Sequence, residues 1–92
     1  MAKTERNVSI PTIHMNGTSA ESLLKDLMVA YHATKQLQDA MRDVTPNARD
    51  YYVQGDEAAT KARDDHAARQ KTISDIRADL EAIIIGIQDQ ER

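Results

Sequence analysis

Residues 45–59, TPNARDYYVQGDEAA, decide how the rest of the chain is read. Pro46 cannot continue a helix, and Asn47 and Asp50 are turn formers whose side chains bond nearby backbone. Gly55-Asp56 then signals a fresh start, with Asp56 as N-cap and Glu57 in the first turn, where its charge complements the helix dipole. On both sides the apolar residues fall at helical spacing. The segment is therefore a connector between two helices, and two of the chain's three aromatic side chains, Tyr51 and Tyr52, lie in it beside Arg49.

Upstream, Leu23, Leu27, Ala30, Thr34, Leu37, Met41 and Val44 recur at alternating steps of four and three. That heptad seam predicts a helix over 19–43, about 37 Å long. Leu24, Met28 and Tyr31 widen the stripe on one flank. Its start carries the capping-box pattern Thr18 with Glu21, just after the turn signal Asn16-Gly17. Downstream, Ala59, Ala62, His66, Arg69, Ile73, Ile76, Leu80, Ile83 and Ile87 form a second seam, which predicts a helix over 56–89 of about 50 Å. Glu57 with Lys61, Asp65 with Arg69 and Arg77 with Glu81 stand at i, i+4 spacing, so the run KARDDHAARQK reads as a solvated face.

Two seamed helices on a connector over 44–55 predict an all-α fold, an antiparallel two-helix hairpin over 18–92. Facing the seams pairs Val44 with Ala59, Leu37 with His66, Ala30 with Ile73 and Leu23 with Leu80. The second helix then overshoots the first at its tip by about nine residues. Ile83, Ile84 and Ile87 stand on one side of that tip and Ile85 on the other. Before the hairpin, residues 1–7 are polar and aperiodic, which predicts a disordered tail. Residues 8–17 alternate apolar and polar and hold Ile10-Pro11, which predicts a short extended arm able to cover part of the tip.

Composition bounds the assembly. A chain of 92 residues without cysteine has no disulfide to stabilise it, and without Phe or Trp its apolar content is aliphatic. A lone hairpin of this kind buries too little surface to offset its ordering entropy, so a homo-oligomer is expected. A net charge of −3 with both signs interspersed argues against a general nucleic-acid binder. No signal-peptide pattern opens the chain and the run 82–87 is too short to span a bilayer, so a cytoplasmic protein without membrane contact is expected.

Chemistry is sparse. The sequence has no Gly-rich phosphate loop, no His-Glu-x-x-His, no EF-hand loop and no nucleophile elbow. His14, His32 and His66 sit on three different elements, and no carboxylate pairs with a Ser or His at catalytic spacing. The expectation is a non-enzyme without metal or cofactor. Two features remain. His66 and Arg69 occupy seam positions, where a buried charge is costly without a partner. They either reach water where the hairpin splays, or are neutralised by Asp65 and Asp39, or line a polar cavity between subunits with Thr34 and Lys35 that suits an anion. In the connector, Arg49 offers a guanidinium fork for phosphate and Tyr51 or Tyr52 a stacking face for a base. Alternatively the tyrosines fold the connector down while Asn47 and Asp50 make turn bonds. The candidate ligand-binding set is Asn47, Arg49, Tyr51, Tyr52, Lys35, His66 and Arg69.

IPTIHMNGTS, followed by PNARDYY and then DHAAR, resembles a group of small uncharacterised proteins encoded by tailed phages and prophages, from Ile10 onward. The order helix, Pro46-x-x-Arg49 connector, helix also resembles phage anti-CBASS and anti-Thoeris sponge proteins. The second resemblance implies an oligomeric hairpin in the host cytoplasm that sequesters a small cyclic nucleotide or ADP-ribose-type immune signal. The different-class alternative is a structural or protein-interaction hairpin that docks a host or virion protein through Ile84, Ile85 and the arm.

Overall fold

The computed structural model describes residues 7–91. Two long helices, α1 (Ala20–Arg42) and α2 (Ala58–Gln90), pack as an antiparallel hairpin, and the connector between them holds two short 3₁₀ turns, Ala48–Asp50 and Tyr52–Gln54. No strand occurs among the described residues. The fold class read from the seams is thus the one observed. The tail expected at 1–7 lies outside the described residues except for Asn7.

Both helix starts differ from the reading by a residue or two. The cap of α1 is Ser19, whose hydroxyl accepts from the Ser22 N–H at 3.1 Å, not Thr18. Starting one residue later makes Ala20 the first helical residue, and Ala20 is buried, so packing of the first turn selects the later hydroxyl. At α2 the residue before the helix is Glu57, with no side-chain cap, instead of Asp56. The Gly55 carbonyl accepts from the Ala58 N–H at 3.3 Å, which places Asp56 and Glu57 in a turn that runs straight into the helix. Gly55 itself has φ 113°, ψ 166°, a region open essentially to glycine alone.

The larger correction concerns which residues face across the hairpin. The expected pairing set His66 opposite Leu37, but His66 Nε2 lies 3.3 Å from the Thr45 hydroxyl. Gln38 donates to Ser74 Oγ at 3.1 Å and accepts from Arg77 at 3.1 Å. The register is therefore displaced by about two helical turns. A heptad pattern repeats every seven residues, so a slip of two turns presents equivalent positions and periodicity alone cannot choose between them. The connector chooses. Instead of bending straight back it runs beside the first turns of α2, so the end of α1 lies level with His66 and the overshoot falls at the connector end.

The seams are also rotated by one residue. On α1 the residues turned inward are Ala20, Leu24, Leu27, Tyr31, Thr34, Gln38 and Met41, all buried or half-buried, while Ala30, Leu37 and Val44 are exposed. On α2 the inward set is His66, Gln70, Ile73, Arg77, Leu80, Ile84 and Ile87, while Arg69 and Ile76 are exposed. Both sets keep the alternating steps of three and four. The hairpin interface is consequently apolar near the chain ends and polar in its middle. There the Arg77 guanidinium lies 4.8 Å from the centroid of the Tyr31 ring, a cation–π contact, instead of pairing with Glu81.

At the apolar end Ile87 is fully buried and Ile84 nearly so, so Ile84 is not the docking residue the sequence suggested, whereas Ile85 remains exposed. The arm lies against this end of α2. Gln90 clamps it, accepting from the Ile13 N–H at 2.8 Å and donating to the Pro11 carbonyl at 2.7 Å. Ile10 rests over Gly86, where an added Cβ would come within 2.7 Å of Ile10 Cγ2.

Candidate functional site

The connector and the start of α2 enclose an open cavity of about 400 Å³. Met41, Val44 and Pro46 come from the end of α1 and its exit, Tyr51 and Gln54 from the connector, and Lys61, Asp65, His66 and Arg69 from α2. Tyr51 is half-buried on this wall, whereas Tyr52, its neighbour, is 73 % exposed and points away. Successive residues at a junction of two 3₁₀ turns face different ways, which separates the pair.

Of the residues proposed from the sequence, Tyr51, His66 and Arg69 come together here. The others do not. Asn47 Oδ1 accepts from the Arg49 N–H at 3.0 Å, a turn-capping role, and Arg49 is exposed with no ion pair among the described residues. Lys35 bonds Asp39 at 3.3 Å on the surface of α1 and takes no part in the cavity, and Thr34 donates to the Tyr31 carbonyl at 2.6 Å.

His66 is the one buried polar side chain among the described residues, 8 % exposed. The Thr45 hydroxyl spends its single proton on the Arg42 carbonyl at 2.8 Å, so the contact with His66 requires Nε2 to donate. Beside His66, Lys61 donates to Asp65 at 2.8 Å, in place of the expected Glu57–Lys61 pair. That hydrogen bond is the largest cause holding the Asp65 carboxyl below the usual carboxylate range; desolvation opposes it, and the charges of Lys61 and Arg69 add to the lowering. Apart from His66, Lys61 and Arg69 against Asp65 give the cavity lining one net positive charge. Met41 was read as a seam residue, and Lys61 and Asp65 as part of a solvated charged face, so none of the three was taken as a site residue.

A second surface adjoins the cavity and shares Val44 with it. On α1, Asp26, Ala30, Ala33, Leu37, Ala40 and Val44 recur at steps of four and three, and all are exposed. Ala30 and Leu37 each precede an inward residue, Tyr31 or Gln38, and so lie about 100° round from the hairpin interface. Ile76 precedes Arg77 in the same way on α2. In an antiparallel pair, rotations of the same sense lead to the same side, so this outer seam and Ile76 share one side of the hairpin. Leu37 is 50 % exposed, Val44 61 % and Ile76 46 %. From Ala30 to Val44 the seam carries no charge.

Among the described residues no group of three or more His, Asp or Glu side chains could hold a metal ion, and no helix is long and apolar enough to cross a membrane. No family model, curated protein or solved structure matches this chain.

Proposed function

We propose that the protein is a non-catalytic helical hairpin that works by binding protein through the outer seam of α1 and Ile76. One observation carries this reading: the hairpin uses polar Thr34, Gln38, Gln70 and Arg77 in the middle of its own interface and leaves Leu37, Val44 and Ile76 in water. Two side-chain atoms of that interface, Gln70 Oε1 and Arg77 Nε, are buried without a hydrogen-bond partner. Turning each helix by one residue would bury the aliphatic side chains instead. A sequence that keeps them outside, at coiled-coil spacing and free of charge, presents them to another polypeptide. The phage resemblance supports a host or virion protein, or the chain itself, as that polypeptide.

The test is co-purification of a tagged chain from cells that make it. Leu37→Asp is expected to release whatever polypeptide accompanies the wild type. Ala67→Asp is expected to keep it, because Ala67 follows His66 and so lies on the opposite side of α2. A wild-type protein that travels as a lone monomer, or two variants that behave alike, would contradict the reading.

The cavity supports a second reading, in which a phosphate-bearing ligand of the cyclic-nucleotide or ADP-ribose type stacks on Tyr51 and pairs with Arg69. Asp65 opposes an anion there, and Arg49 and Tyr52 point elsewhere, so the protein-binding reading stands first. Calorimetry against a panel of such ligands tests the second, with Arg69→Ala expected to abolish any heat that the wild type shows. A blank panel would sink it.

A further inference from the structure

We infer that the partner on the outer seam is a second copy of this chain, related by a two-fold axis that sets the two α1 helices antiparallel, with Asp26 of each copy reaching Arg69 of the other. This rests on the protein-binding reading above and names the partner.

The seam is built for its own kind. Its six positions, 26, 30, 33, 37, 40 and 44, hold the alternating steps of a coiled coil, and the alanines at 30, 33 and 40 permit close helix approach. Laid antiparallel against itself, the seam sets Ala30 against Ala40, Ala33 against Leu37 and Asp26 against Val44. Leu37 then meets Ala33, and the Ala30–Ala40 pairs let the two helices approach closely. The contact spans about 27 Å along α1, and with the neighbouring side of α2 it covers roughly 500 Å² per copy, or about 1,000 Å² in all, the floor for a specific interface.

Charge fixes the direction. Asp26 is the one charged residue of the seam and has no cation within ion-pair distance in its own chain among the described residues. Val44, which it faces in the antiparallel arrangement, lines the same cavity as Arg69, and Arg69 likewise makes no ion pair. Antiparallel docking brings Asp26 and Arg69 together, neither of them in a direct ion pair in its own chain among the described residues, and the two-fold axis does so twice. Parallel docking would set Asp26 against Asp26 in an apolar contact, where like charges repel. An anionic membrane surface fits less well, because the seam's single charge is negative.

The experiment is sedimentation equilibrium of the wild type, Asp26→Arg, Arg69→Asp and the double reversal, with helix content checked by circular dichroism. The wild type is expected at twice the chain mass of 10.3 kDa. Each single reversal turns two attractions per dimer into repulsions and is expected to weaken the dimer about tenfold or more, with the double reversal back within a few-fold of the wild type. A double variant as weak as the weaker single variant overturns the pairing. A wild type that stays at 10.3 kDa up to about 100 µM overturns the second copy. If a different polypeptide still co-purifies with that monomer in a Leu37-dependent way, the protein-binding reading survives; if none does, both fall.

Discussion

Ile87, with no exposed surface, is the deepest side chain of the hairpin, and Ile76 is nearly half open, although both stand in one apparent seam of the sequence. Ile87→Ala is expected to cost ~2–5 kcal/mol by removing buried methyl groups and leaving a cavity. Within one chain Ile76→Ala removes far less buried surface, so its cost in denaturant should grow with protein concentration as the outer seam becomes covered. Equal, concentration-independent shifts in midpoint would mean that the inward residues are misassigned. At the cavity, the lowered pKa of Asp65 fixes the sign of an acid effect. A depressed carboxyl contributes stability above its unfolded value, about pH 4, and loses that contribution as the pH falls through the lower folded value. Lys61→Met removes the largest cause, so the Asp65 carboxyl resonance should titrate at higher pH in the variant. An unchanged titration would show that Lys61 does not hold Asp65 in solution. The sequence reading put His66 at an inward position and was right, but it could not know that Thr45 would bond it. That contact follows from the register, which no single residue encodes.

The helices, their lengths and the connector were legible because periodicity, Pro46 and Gly55 all mark them. Which seam faces inward was not legible. On α1 two heptad series one residue apart compete, Ala30–Leu37–Val44 and Tyr31–Gln38–Thr45, and hydrophobicity favours the first. The fold uses the second, because the connector lies along α2 and because Ile84 and Ile87 need Leu24 and Leu27 at the far end. The candidate ligand set suffered accordingly: Tyr51, His66 and Arg69 meet at the cavity, while Lys35 and Arg49 were chosen by residue type and stand elsewhere. The arm was legible as extended and apolar, and its Gln90 clamp was not, since hydrogen bonds between distant polar residues leave no periodic trace. Gly86 matters at that clamp. Gly86→Ala improves the helical propensity of α2 by ~1 kcal/mol but drives a methyl group into Ile10. The arm should lift, and the Ile13 amide, bonded to Gln90, should exchange with solvent faster than in the wild type. Unchanged exchange at Ile13 would show that the arm is held by something other than the Ile10 contact.

The protein is a slender hairpin, 61 × 24 × 19 Å, and among its described residues only Ala20, His66, Ile73, Ile84 and Ile87 are buried. So small a core is marginal for a chain of this size, and a second layer of helices against the outer seam would add roughly 500 Å² of covered surface per copy to it. In the proposed dimer, assembly and binding depend on the same side chains: a second copy that covers Leu37, Val44 and Ile76 would also complete the fold. The most direct measurement is methyl relaxation by a soluble paramagnetic agent, taken at protein concentrations where the partner copy is bound. The account predicts that the methyl groups of Leu37, Val44 and Ile76 are shielded nearly as well as those of Ile73, while Met15, 94 % exposed, relaxes fast. Relaxation of Leu37, Val44 and Ile76 as fast as that of Met15, at every concentration reached, would contradict it.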